Sequence, residues 1–77
     1  MVKQLTAVYE TRGDWVVAYL EEIPGVNTQG KTKDEARANL EDALIEFLEA
    51  NRELAKRDMS GKVDVVEEPF ALVEDAA

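Results

Sequence analysis

Residues 21–36 read EEIPGVNTQGKTKDEA and combine a Pro-Gly corner with a Thr-x-x-Glu pattern. Pro24 cannot donate to a strand ladder and Gly25 permits a sharp reversal, so a strand ends here. The Thr32 hydroxyl stands where it can accept from first-turn amides, and Glu35 can reach back to the Thr32 amide. This capping box predicts that a helix begins after Thr32.

Beyond the capping box, apolar residues recur at the spacing of an amphipathic helix. They are Ala36, Leu40, Ala43, Leu44, Phe47, Leu48 and Leu54. The spacing predicts about six turns ending near Lys56, with Gly61 as the C-cap or turn residue. Gly30 is expected to let the chain turn from the preceding strand into this helix.

Three strands are predicted before the helix. Residues 2–10 mix β-branched and aromatic residues with polar ones and lead into a tight turn at Gly13 and Asp14. The run WVVAYL, residues 15–20, is apolar on both of its faces, which is typical of a central strand. A short third strand is predicted at about residues 26–30.

A fourth strand is predicted after the helix. The run VDVVEE, residues 63–68, reads as a strand that ends at Pro69. The sequence therefore predicts one α+β domain, residues 1–69, in the order β-β-β-α-β, with a small antiparallel sheet and one helix packed on one face. Residues 70–77 are predicted to be a C-terminal tail.

One helix covers only one face of so small a sheet, yet the second strand is apolar on both sides. The uncovered side is expected to be covered by a second copy of the chain, by the tail residues 70–73, or by a different protein. We expect a homodimer by default. The residues assigned to this oligomer or core face are Trp15, Val17, Tyr19, Phe70 and Leu72.

Composition narrows the possible chemistry. The 77 residues include no Cys and no His, which excludes disulfides, thiol nucleophiles, Cys/His zinc sites and His-based catalysis. We therefore predict a protein that is not an enzyme and has no catalytic, cofactor-binding or metal-binding residues. The sequence shows neither a signal peptide nor a membrane span, which predicts a cytoplasmic protein with no membrane partner.

The charge is strongly acidic. Nine Lys and Arg against 17 Asp and Glu give a net charge of -8. Such a surface repels phosphate backbones, so direct binding of nucleic acid is not expected, whereas a basic protein is attracted. The alternative interpretation is that the acidic surface serves only solubility.

The run YLEEIPGVNTQGKTKDEARANLEDALIEFLE, with Trp15 ahead of it, resembles the HicB-like antitoxin family. The resemblance covers about residues 5–50. The matching pieces are Trp15, Glu22, Ile23-Pro24-Gly25, Gln29-Gly30-Lys31-Thr32 and Glu35-Ala36.

The resemblance implies a partial ribonuclease-H-like fold and an antitoxin that neutralises a small basic ribonuclease toxin by covering its active site. Many family members also carry a C-terminal DNA-binding segment, for which the residues after Pro69 leave no room. Operator binding by a complex therefore stays open. The alternative is a stand-alone homo-oligomeric protein without a toxin.

Two groups of residues carry these hypotheses. The toxin contacts are predicted at Glu21, Glu22, Glu67 and Glu68, next to the apolar sheet. The motif residues are explained by turns and a cap: Pro24, Gly25, Gly30, Thr32 and Glu35. Anion binding at the helix N-terminus and a carboxylate-based metal nuclease site are lesser alternatives.

Overall fold

The computed structural model describes residues 4–71. Three strands are followed by one helix: β1 Ala7–Arg12, β2 Trp15–Leu20, β3 Asn27–Gly30 and α1 Lys33–Met59. The strands form an antiparallel sheet in the order β1-β2-β3. The predicted α+β class, a small antiparallel sheet with one helix packed on one face, is confirmed.

The register of the strands determines which side chains share a face. Tyr9 pairs with Ala18, and Ala18 pairs with Thr28, so these three point to the same side of the sheet. That side faces α1. The buried core lies between the two layers, with Ala18, Leu20, Val26, Ala36 and Leu40 at its centre.

The helix begins at the predicted N-cap. Thr32 Oγ1 accepts a hydrogen bond from the Glu35 amide at 3.1 Å. The Glu35 carboxylate accepts from the Lys31 amide at 3.3 Å, one residue before the amide that the capping box predicted. A further bond joins the helix to β3, because Asn39 Nδ2 donates to the Gln29 carbonyl at 2.9 Å.

Gly30 is the last residue of β3, directly before the turn into α1, and its φ is not positive. A Cβ placed on Gly30 would lie 2.6 Å from the Ala36 amide nitrogen and 3.0 Å from the Glu35 carbonyl carbon. Gly30 is therefore required for the close approach of the first helical turn to the strand.

The helix continues well past the sheet. It ends at Met59 rather than near Lys56, where the Ser60 amide donates to the Arg57 carbonyl and Gly61 follows with φ +84°. Phe47 still packs against the core, but residues 48–58 are all exposed. At about 1.5 Å per residue, some 18 Å of helix extends beyond its contact with the sheet.

The predicted fourth strand at residues 63–68 is wrong for the single chain. These residues form no strand, and Val63 and Val66 are 92% and 91% exposed. Glu67 lies 3.9 Å from Lys56 Nζ, so this part of the chain runs beside the extended end of the helix. Phe70 is also exposed, and Leu72 lies outside the described residues.

The resulting shape is thin and open. The radius of gyration is 16.4 Å and the smallest extent is 16 Å. A compact chain of this length has a radius of gyration of about 11 to 12 Å. The long helix and the unpaired segment after it account for the difference.

Gly30→Ala is predicted to destabilise the fold by about 2 kcal/mol or more, because the added methyl group meets backbone atoms that cannot rotate away. The measurement is the free energy of unfolding in urea, followed by circular dichroism. Gly13→Asn is the control, since nothing lies within 4 Å of Gly13 and Asn tolerates its φ of +59°. Equal stability of Gly30→Ala and the unmodified chain would contradict the role given to Gly30.

Candidate protein-docking surface

The side of the sheet that faces away from α1 is here called the open face. No helix or strand of residues 4–71 lies against it. The strand register assigns eight residues to it. They are Val8, Glu10, Arg12, Trp15, Val17, Tyr19, Asn27 and Gln29.

The open face has an apolar centre with a charged edge. Trp15 is 42% exposed, and Val8, Val17 and Tyr19 are partly exposed beside it. Arg12 pairs with Trp15 across the strands, and its guanidinium lies 3.0 Å from the Glu10 carboxylate. Aromatic residues surrounded by polar groups are typical of protein interfaces. The predicted residues Trp15, Val17 and Tyr19 are thus brought together.

The predicted acidic contacts form two separate groups. Glu21 and Glu22 follow directly after β2, whereas Glu67 and Glu68 lie beside the C-terminal half of α1. Glu67 pairs with Lys56. Phe47 contacts the β2–β3 loop near Gly25, so both groups lie toward the end of the molecule over which the helix extends.

Glu22 also has a structural role that the sequence reasoning missed. Its carboxylate accepts a hydrogen bond from the Thr6 amide at 2.8 Å, and the Glu21 amide donates to the Thr6 carbonyl at 3.0 Å. These two bonds extend the β1–β2 pairing beyond the strands. A carboxylate directly after a central strand is a weak signal for such a bond, because only the strand register reveals the partner amide.

A second apolar surface lies on the other side of the sheet and is here called the β1 groove. It has a volume of about 160 Å³ and lies between α1 and the edge strand β1. Its lining residues are Leu5, Ala7, Tyr9, Leu20, Arg37, Leu40, Glu41 and Leu44. Three strands make a layer roughly 14 Å wide, and a helix held on β3 is too narrow to cover β1 as well.

The edges of the β1 groove carry charge. Lys33 Nζ lies 5.2 Å from the centre of the Tyr9 ring, a cation–π distance. Arg37 and Glu41 form an exposed ion pair at 3.6 Å along the helix. Sequence reasoning missed this groove because it treated the helix as covering a whole face of the sheet.

The motif residues have structural roles. Gly25 has φ +95°, a conformation that strongly favours glycine, and lies close to the Phe47 ring. Pro24 lies in the same loop, and Thr32 and Glu35 form the cap. Within residues 4–71, no group of three or more Asp or Glu is placed to hold a metal ion. In the same residues, no helix has the length and apolar character needed to cross a bilayer.

Comparison with known proteins gives no match: no family model, no curated protein and no solved structure is similar to this chain at a significant level. The resemblance to the HicB-like family therefore rests on the motif residues alone.

Glu22→Ala is predicted to destabilise the chain by about 1 kcal/mol and to speed hydrogen exchange at the Thr6 amide, because that amide loses its carboxylate acceptor. The rate of hydrogen exchange at the Thr6 amide, measured by NMR, tests this prediction. Glu21→Ala is the matched control, since its amide still donates to Thr6. Unchanged exchange at Thr6 in Glu22→Ala would contradict the bond's role.

Proposed function

We propose that this chain is an antitoxin-like protein-binding module that neutralises a small basic ribonuclease toxin by occluding its active site. The open face carries this proposal. It presents Trp15, Val17 and Tyr19 together on one sheet surface, and no element of residues 4–71 packs on them. An exposed apolar sheet surface with a charged edge favours a partner protein.

The charge supports a basic partner. The chain carries a net charge of -8, and Glu21 lies exposed at the end of the strand that holds the apolar residues of the open face. Charge of one sign near an interface accelerates the encounter with a partner of opposite sign. Inhibition by occlusion needs no catalytic group in the antitoxin, only a stable contact over the toxin's active site.

The HicB-like motifs support the proposal indirectly. The turn and cap residues of the motif define how β3 and α1 meet, and they leave the open face on the opposite side. They are therefore a signature of the scaffold. The proposed contact residues for a toxin lie elsewhere, on the open face and at Glu21, Glu22, Glu67 and Glu68.

A stand-alone homo-oligomer is the second candidate, and a specific observation favours it. Val63, Val66 and Phe70 follow the helix and are almost fully exposed. Apolar residues exposed in series mark an interaction site or an aggregation hazard. A second copy of the chain would cover them without any toxin.

The direct test of the antitoxin proposal uses the small basic protein encoded beside this chain's gene in its source genome. That protein is purified and its cleavage of RNA is measured with increasing amounts of this chain. Cleavage is expected to stop at a fixed molar ratio. An adjacent frame of another kind, or cleavage that continues in the presence of excess chain, would contradict the proposal.

Charge reversal is predicted to slow the association with the same toxin. The double variant Glu21→Lys with Glu68→Lys should lower the association rate about tenfold at low salt and weaken its salt dependence. Stopped-flow fluorescence or surface plasmon resonance measures the association rate and its dependence on salt. Asp42→Lys with Glu49→Lys is the control, with the same charge change on the solvent side of α1. Equal rates for the two double variants would contradict the placement of the contacts.

A further inference from the structure

We propose that the open face binds a basic amphipathic α-helix of the partner protein, laid along β2. The helix places its apolar stripe on Trp15, Val17 and Tyr19, which are here called the apolar column. The inference rests on the proposed function, since it specifies which part of a basic partner the open face receives. It adds the secondary structure, the direction and the charge of that part.

The apolar column is one strand wide and has mostly polar neighbours. Glu10 and Arg12 flank it on β1, Asn27 and Gln29 flank it on β3, and Val8 widens it at one end. Neighbouring strands lie about 4.8 Å apart, so polar side chains begin about 5 Å from the centre line of the column. A second sheet would need apolar side chains on several neighbouring strands. The open face therefore matches a narrow apolar stripe.

A helix supplies a stripe of this kind. The amides and carbonyls of a sheet point along its plane to the neighbouring strands, so a segment that docks on the face finds no backbone partners there. Such a segment must satisfy its own backbone hydrogen bonds, which a helix does and an extended peptide does not. Alternate residues of a strand are about 6.8 Å apart, so the column spans about 14 Å. A helix of about 10 residues has a matching length of about 15 Å.

Charge favours a basic helix. Residues 15–30, which include β2, β3 and the loop between them, contain Glu21 and Glu22 but no Lys or Arg. Glu21 is exposed directly after β2, at one end of the apolar column. On β1, the Arg12 guanidinium lies 3.0 Å from the Glu10 carboxylate, so this pair adds no net charge. Lys or Arg beside the apolar stripe of the partner helix therefore faces Glu21.

The same charge argues against the chain's own segments as occupants of the open face. A second copy brings a further net charge of -8. Residues 63–71 carry three acidic residues and no basic residue, and they include Pro69, which interrupts a helix. Neither complements Glu21, so the occupant is a basic segment of a different protein.

Trp15 makes this docking measurable, because it is the single tryptophan of the chain and is 42% exposed. Synthetic peptides of about 15 residues, made from equal numbers of the same Leu, Lys and Ala residues, are titrated into the full chain. One peptide has the Leu residues at helical spacing, one has them at alternate positions as in a strand, and one has them in no periodic order. The helical peptide is expected to shift the Trp15 emission to shorter wavelength and to bind at least tenfold more tightly than the other two.

Substitutions in the chain locate the helix on β2. Val17→Asp, at the centre of the apolar column, is expected to weaken binding of the helical peptide at least tenfold, and Glu21→Lys is expected to weaken it severalfold at low salt. Ile45→Asp is the matched control, because Ile45 is 54% exposed on α1, on the other side of the sheet. Circular dichroism verifies folding. Glu21→Lys changes an exposed side chain and keeps the test decisive if Val17→Asp unfolds.

Equal binding of the three peptides, or binding that leaves the Trp15 emission unchanged, would overturn the proposal. So would equal effects of Glu21→Lys and Ile45→Asp, or equally tight binding of a helical peptide with Glu in place of Lys. The toxin experiment is a separate measurement. A chain that stops RNA cleavage but does not bind the helical peptide contradicts this inference alone, whereas a chain that binds the peptide but leaves cleavage unchanged contradicts the antitoxin role.

Discussion

The first turn of α1 lies against the backbone of Gly30, so close that a single methyl group there would overlap the Ala36 amide. The Asn39 bond to the Gln29 carbonyl holds the next turn against the same strand. These contacts tie the helix to β3 and set its direction across the sheet. Because the helix lies at one edge, the opposite edge strand β1 keeps an uncovered groove, and the extra helical turns extend beyond the sheet.

Local chemistry was predictable from the sequence. The hairpin at Gly13, the Thr32 cap and the apolar stripe through Phe47 each depend on residues that are close in sequence, and all three are present in the structure. Features that depend on residues far apart in the sequence were harder to predict. Whether residues 63–68 form a strand depends on where the helix delivers them, and the observed end at Met59 places them beside the helix.

The candidate surfaces were predictable only in part. Alternation along β2 assigned Trp15, Val17 and Tyr19 to one face, and the register confirms that grouping. The β1 groove and the Glu22 bond to Thr6 were missed, because each depends on which strand the helix covers or on which amide lies opposite a carboxylate. Strand-edge geometry of this kind has no local sequence signature.

The two apolar surfaces, the open face and the β1 groove, lie on opposite sides of the sheet and share no residue. The motif residues that resemble the HicB-like family hold the scaffold together, which fits the general rule that a fold hosts many functions. What distinguishes this chain is the long helix, which places residues 63–71 beside its own extended end and leaves the β1 groove open.

The most direct measurement of this account is the thermal unfolding of the unmodified chain over a hundredfold range of concentration. If folding is completed by a second copy, association stabilises the folded state by mass action, and Tm should rise by roughly 5 °C or more across that range. A Tm that stays constant from micromolar to hundreds of micromolar would contradict the account, because it would mean that the single chain is stable with its β1 groove and residues 63–71 uncovered.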